Sequence, residues 1–130
     1  MKYLLDTNTV SFAMRGVGDV GKNLLEHEPE SIFVSSITEA ELWFGVEKRG
    51  SKKLEKIVTD FLKPLNIIDF RSGEARVFGE LFSKLEKKGM TIGVTDTMIA
   101  SIAMNNDLVL VTDNTKHFKR LKGLSIENWA

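Results

Sequence analysis

Two rhythms of apolar residues run along this chain. Short apolar stretches of strand length occur at 3–5 ("YLL"), 31–35 ("SIFVS"), 66–70 ("NIIDF"), 108–112 ("LVLVT") and 124–129 ("LSIENW"). Between them the apolar positions recur at helical spacing. The segments "SFAMRG" and "DVGKNLLEHE" predict one or two short helices. "SITEAELWFGVEKRG" predicts a helix that stops at Gly50, with Lys48 and Arg49 in its last turn. In "SKKLEKIVTDFLKPL", Leu54, Ile57, Val58 and Phe61 share one face. "SGEARVFGELFSKLEKKG" predicts a long helix ending at Gly89, "TDTMIASIAMNN" another, and "TKHFKRL" a short one. Strands that alternate with helices predict a parallel sheet covered on both faces, an α/β fold. No repeat or low-complexity stretch interrupts the pattern, and Pro29 and Pro64 both fall between elements, so residues 1–130 are expected to form a single domain. In such sheets ligands collect at the carboxyl ends of the strands, near the point where the strand order reverses.

Composition narrows the chemistry. There is no cysteine, which excludes disulfides and thiolate metal sites, and only His27 and His117 offer imidazoles. Eighteen basic residues balance eighteen acidic ones, so overall charge drives the chain toward neither nucleic acid nor membrane. No apolar run approaches the ~20 residues of a membrane span. The opening "MKYLLD" is too short for a signal peptide, and a cytoplasmic location is expected.

Against this background four acids stand out. Asp6 ends the first apolar run, where it either caps the following helix or holds a cation at the mouth of the sheet. In "SSITEAEL", Ser36 as N-cap and Glu39 three residues on make a capping box, which leaves Glu41 without a structural task. Glu41 shares a helix face with Ile37, Phe44 and Gly45, so it is either solvated beside exposed apolar groups or functional, and Gly45 suggests close approach by another segment. Asp96 starts a stripe continued by Ile99, Ala100 and Ala103; an acid in the first turn suits the helix dipole, but that does not explain its place on the inward side. Asp113 and Asn114 follow a strand through Thr112, as an Asx turn or as part of the same edge. Carboxylates brought together repel, and a divalent cation relieves that repulsion. All-oxygen ligation suits Mg²⁺ or Mn²⁺, and such a site can polarise a phosphoryl oxygen and activate water.

The chain resembles the PIN-domain family, and within it the VapC-type ribonuclease toxins of toxin–antitoxin pairs. The resemblance rests on "LLDTN" at 4–8, "SSITEAELWFG" at 35–45, "IGVTDTMIASIA" at 92–103, "LVTDNTKHF" at 110–118 and the ending "IENW", in that order. It implies a three-layer α/β/α sandwich around a central parallel sheet and metal-dependent cleavage of RNA, with tRNA a frequent target. It further implies Asp6, Glu41 and Asp96 as Mg²⁺ ligands, with Mn²⁺ as a substitute. Many relatives carry an acid where this chain has Asn114, so Asp113 or Asn114 is left to complete the site. Asn8, Ser36 and Thr112 would orient the ligands or water through hydrogen bonds. The expected mechanism has Asp6 and Asp96 hold the ion while Glu41 positions or deprotonates the attacking water. A VapB-like antitoxin and a second copy of the chain are the implied protein partners, and the apolar surplus of Trp43 and Phe44 fits an interface.

Lys116, Lys119 and Arg120 follow the last acidic motif directly and are candidates for RNA phosphate contact, with His117 among them. Two other enzyme or switch classes compete. "DTNT" resembles the nucleophile loop of haloacid-dehalogenase phosphohydrolases, but Asn8 stands where the acid/base aspartate is needed. A receiver-like phosphoacceptor domain needs an acid pair near the start and a late lysine on its strand, and "LVLVTDN" has none. A catalytically silent binding domain of the same fold is the third alternative, opposed by the intact Asp6, Glu41 and Asp96.

Overall fold

A computed structural model describes residues 1–130. Five short strands, β1 (Tyr3–Leu5), β2 (Ile32–Ser35), β3 (Asn66–Ile68), β4 (Val109–Val111) and β5 (Ile126–Glu127), form one sheet in the order β3-β2-β1-β4-β5, every pair parallel. The helices are α1 (Thr7–Arg15), α2 (Val20–Leu25), α3 (Ser36–Arg49), α4 (Lys52–Leu62), α5 (Ser72–Lys87), α6 (Val94–Asn105) and α7 (Thr115–Phe118). The chain builds outward from β1 to β3, then crosses to the other side of β1 for β4. The strand order therefore reverses beside β1, where open α/β sheets keep their ligand crevice.

Period-two alternation divides the core between the two faces. Tyr3, Leu5, Val34, Val109 and Val111 point to a cluster with Val10, Leu42, Val46, Val58 and Leu62. Leu4 and Leu110 point to the other side, against Ile99, Ile102, Ala103, Leu85 and Phe118. The expected sandwich with its central parallel sheet is present. The inward stripe expected on α6 is present too: Ile99, Ala100 and Ala103 are fully buried. Burying each Leu, Ile or Val of these clusters contributes about 1.5–3 kcal/mol before entropy is counted.

The structure corrects several details. The first helix starts at Thr7, earlier than "SFAMRG", because Asp6 caps it. β3 and α7 are shorter than "NIIDF" and "TKHFKRL". The N-cap of α3 is Ser35, not Ser36. Ser35 leaves β2 in extended conformation (φ −76°, ψ 155°), and its hydroxyl accepts from the Thr38 N–H at 3.1 Å. That shift moves Glu39 out of capping-box register. α3 ends as expected at Gly50, whose left-handed φ of 59° allows its N–H to reach the Val46 carbonyl. Gly45 has no close neighbour where its side chain would stand; it borders an open groove instead.

Candidate active site

Two strands and two helices deliver the acidic groups to one edge. The register pairs Leu5 with both Val34 and Val111, so Asp6 emerges level with Ser35 and Thr112. The Asp6 N–H donates to the Val111 carbonyl at 3.1 Å, continuing the ladder one residue past the strand. Asp6 then takes extended torsions, and its Oδ1 accepts from the Thr9 N–H at 2.9 Å. The capping role is therefore real, and it accounts for only part of the residue. Asp6 is only 4% exposed, and no ion pair in the chain reaches it. Burial pushes its pKa up; the Thr112 and Thr9 donors pull against that, and the charge of Asp113 adds to the rise.

Asp96 stands half-buried in the first turn of α6. Its pKa is also raised, first by burial and then by the charges of Asp6 and Glu41, with His117 opposing. Asp6, Glu41 and His117 thus lie close enough to act on the Asp96 carboxyl group, although the four come from the end of β1 and from α3, α6 and α7.

Glu41 is exposed, as a solvated acid would be, yet it is held. The Thr7 hydroxyl donates to Glu41 Oε1 at 2.6 Å. Thr7 Oγ1 also lies 2.9 Å from Thr38 Oγ1. A hydroxyl has one proton, so Thr38 donates to Thr7 and Thr7 to Glu41. This relay from the buried Thr38 through the residue after Asp6 fixes the glutamate over the site.

The remaining expected residues divide. Thr112 is fully buried; its hydroxyl serves Asp6 and accepts from the Asn114 N–H at 3.0 Å. Asp113 is exposed and contributes charge. The Asn114 amide turns to His117 Nδ1 at 2.9 Å. Asn8 is exposed and makes no hydrogen bond to Asp6, whose partners are Thr9 and Thr112. The Ser36 hydroxyl accepts from the Phe70 N–H at 3.3 Å, joining α3 to the exit of β3 and reaching no acid. Lys116 and Lys119 are exposed beside the edge, while Arg120 Nη1 donates to the Met90 and Thr91 carbonyls at 3.4 and 3.3 Å. His27 has its ring stacked on Trp129 with centroids 4.5 Å apart and edge-on to Tyr3, and its Nδ1 bonds the Asn23 carbonyl, so it takes no part. Thr7, Thr38 and Ser35 were the residues sequence reasoning missed; their only signal was the density of hydroxyls in "DTNT" and "SSIT".

No three acidic or imidazole groups already stand in the tight arrangement of a closed metal shell. The donor set nonetheless fits a hard divalent cation. It is all oxygen, it is negatively charged, its most buried member has only neutral hydrogen-bond partners, and the charges of Asp6 and Glu41 raise the pKa of Asp96.

An open parallel sheet with uncompensated carboxylates at its switch point defines a class: α/β proteins that concentrate acidic groups at the carboxyl edge. The sequence pattern of the PIN domain matches residues 3–124, and the chain belongs to the PIN domain family. It is 42% identical to "Ribonuclease VapC2" of Rickettsia felis, over 99% of this chain and 98% of that one. It is 32% identical to "tRNA(fMet)-specific endonuclease VapC" of Salmonella typhimurium, over 100% of this chain and 99% of that one. Among solved structures it superposes on a chain of VapBC2 from Rickettsia felis bound to a DNA fragment from their promoter, with a TM-score of 0.90, 40% identity and full coverage of both chains.

Proposed function

We infer that this chain is a divalent-metal-dependent endoribonuclease, the toxin of a VapBC-type pair. The observation that carries this reading is Asp6, a nearly fully buried carboxylate with no cationic partner, sharing its surroundings with Glu41 and Asp96. The full-length likeness to named ribonucleases supports it. Asp6 and Asp96 are the residues that hold the ion, with Glu41 beside them; Mg²⁺ is the expected metal and Mn²⁺ its substitute. When bound, the ion supplies positive charge against the carboxylates and Lewis acidity toward a phosphoryl oxygen and water.

The chain's own residues do the rest. Glu41, held by Thr7, orients the attacking water and accepts its proton as the water oxygen bonds to phosphorus and a bridging P–O bond breaks. The departing oxygen takes a proton from solvent. Thr112 and the Thr9 N–H favour the ionised form of Asp6 against its burial and hold its carboxyl in orientation. Lys116, Lys119 and Arg120 border the edge where RNA phosphates pass, and transfer RNA is the proposed substrate class, in line with the Salmonella relative.

The VapBC2 likeness supports a VapB-like antitoxin as partner. A groove of about 370 Å³ opens beside Glu41, lined among others by Gly45, Arg49, Leu54 and Ile57, and Phe44 projects next along α3 with 68% exposure. An antitoxin segment laid there would cover the site. A homodimer is also proposed, as is a cytoplasmic location; no helix is long and apolar enough to cross a membrane.

The test is incubation with total RNA, with and without Mg²⁺, comparing wild type with Asp6→Asn and Asp96→Asn and sequencing the new ends. Discrete Mg²⁺-dependent cuts that vanish in both variants are expected. Near wild-type cleavage by either variant refutes the assignment. Trapping of a phospho-aspartyl enzyme would point instead to a phosphohydrolase of the haloacid-dehalogenase type.

A further inference from the structure

Away from the groove just described, a cleft of about 500 Å³ opens between α5 and the chain that follows α7. One wall carries Lys84 and Lys88, the other Arg120 and Lys122, and the floor is apolar, with Leu81 and Met104 partly accessible. Its one acid, Glu80, is occupied by Arg76 at 3.4 Å, and none of the four cations has an acidic partner. The chain as a whole has zero net charge, so this is a local concentration of positive charge. Basic residues in the last turn of a helix ordinarily answer its dipole, which accounts for Lys84 and Lys88. It does not account for Arg120 and Lys122, which face them from a different element.

Two connections lead from the cleft to the acidic edge. His117, hydrogen-bonded to Asn114 at the exit of β4, precedes Lys122 by five residues, a span of at most ~18 Å even fully extended. Arg120 also binds the carbonyls of Met90 and Thr91, in the loop that enters α6 and presents Asp96. A polyanionic strand leaving the acidic edge over α7 therefore meets a paired row of cations at short range.

We propose that this cleft is a second RNA subsite, in which Lys84 and Lys88 on one wall and Arg120 and Lys122 on the other grip the phosphate backbone of the strand beyond the scissile bond. The inference rests on the ribonuclease reading and extends it: the cleft supplies affinity for longer RNA, while the acidic edge performs the cleavage. The sequence-flanking cations Lys116 and Lys119 do not line it.

The experiment uses the full chain in EDTA, which permits binding without turnover, and fluorescence anisotropy of labelled bulk tRNA over a salt series. The cleft triple variant Lys84→Ala/Lys88→Ala/Lys122→Ala is compared with Lys52→Ala/Lys53→Ala/Lys63→Ala, which removes equal charge around α4, on the other face of the sheet. All six lysines are exposed, so neither variant threatens the core. Arg120 is left intact because it anchors the loop before α6. The cleft triple is expected to raise Kd tenfold or more and to flatten the plot of log Kd against log salt by about two, since each phosphate contact to a single strand contributes roughly 0.7. The control triple should stay within about twofold of wild type. Equal effects of the two triples overturn the proposal. So does a cleft triple that alters self-association, read by sedimentation, while RNA binding is unchanged, because the cleft would then be a protein interface. If the cleft triple weakens binding as expected but Asp6→Asn still cuts RNA, the subsite stands and the catalytic assignment falls.

Discussion

Thr7 carries a prediction that depends on geometry alone. Its hydroxyl is the only link between the buried Thr38 hydroxyl and the Glu41 carboxylate. Thr7→Val keeps the shape and removes the hydroxyl. A hydrogen bond to a charged acceptor is worth about 1.5–3 kcal/mol, and because Glu41 is exposed the lower end applies. At 1.36 kcal/mol per tenfold, that is a fall of about ten- to thirtyfold in kcat/KM if the bond holds Glu41 in its working position. Stability falls as well, because Thr38 is fully buried and loses its partner. A cost of about 1 kcal/mol corresponds to roughly 4 °C in Tm for a domain of this size. The assay is cleavage of a fixed RNA at saturating Mg²⁺, run well below both melting temperatures, with Thr7→Ser as the variant that retains the hydroxyl. Thr7→Ser should stay within about threefold of wild type. A Thr7→Val enzyme that cleaves within twofold of wild type would show that the bond does not position Glu41, and the relay would lose its functional meaning.

Other consequences follow from the buried acids. Burial raises the Asp6 pKa, so its charge opposes folding above that pKa. Asp6→Asn keeps an acceptor for the Thr9 N–H and should hold or raise the metal-free Tm while abolishing cleavage; Asp6→Ala also loses the cap, about 1 kcal/mol, and should melt lower. Glu74, 5% exposed, shows the opposite sign. Burial alone would raise its pKa, but donors from Asn105, the Arg71 N–H and Asn106 outweigh it and hold the carboxyl below its ordinary 4.5. Its contribution to stability is complete above that ordinary value and fades as pH drops through the lower folded value. Urea unfolding across the acid range should therefore show that Glu74→Gln is about 1–3 kcal/mol less stable at neutral pH and that the deficit shrinks in acid, with RNA cleavage near wild type at neutral pH; a deficit that does not change with pH would contradict this.

The fold was legible because β1, β2 and β4 are buried apolar runs and α6 carries its small-residue stripe in strict helical register. Asp6 and Asp96 were legible for the same reason: each is a charge placed where the periodicity calls for an apolar group. Where the reading slipped, the missing information was torsional or long-range. Ser35 and Ser36 offer the same hydroxyl, and only the extended torsions at the strand exit decide which one caps. Thr7 pairs with Thr38 and Glu41, 31 and 34 positions away, so nothing local marks it. Glu74 looks like any first-turn acid until Asn105 and Asn106 fold onto it. Lys84 and Lys88 look like solvated lysines until Arg120 and Lys122 are set opposite them.

Manganese binding tests the account most directly. Electron paramagnetic resonance of free Mn²⁺ counts ions taken up by the chain without any RNA present. Saturable uptake is expected for the wild type, weakened at least tenfold by Asp6→Asn and by Asp96→Asn and less by Thr7→Val. Equal uptake by wild type and Asp6→Asn would mean that the buried aspartate holds no cation, and the nuclease mechanism built on it would fail.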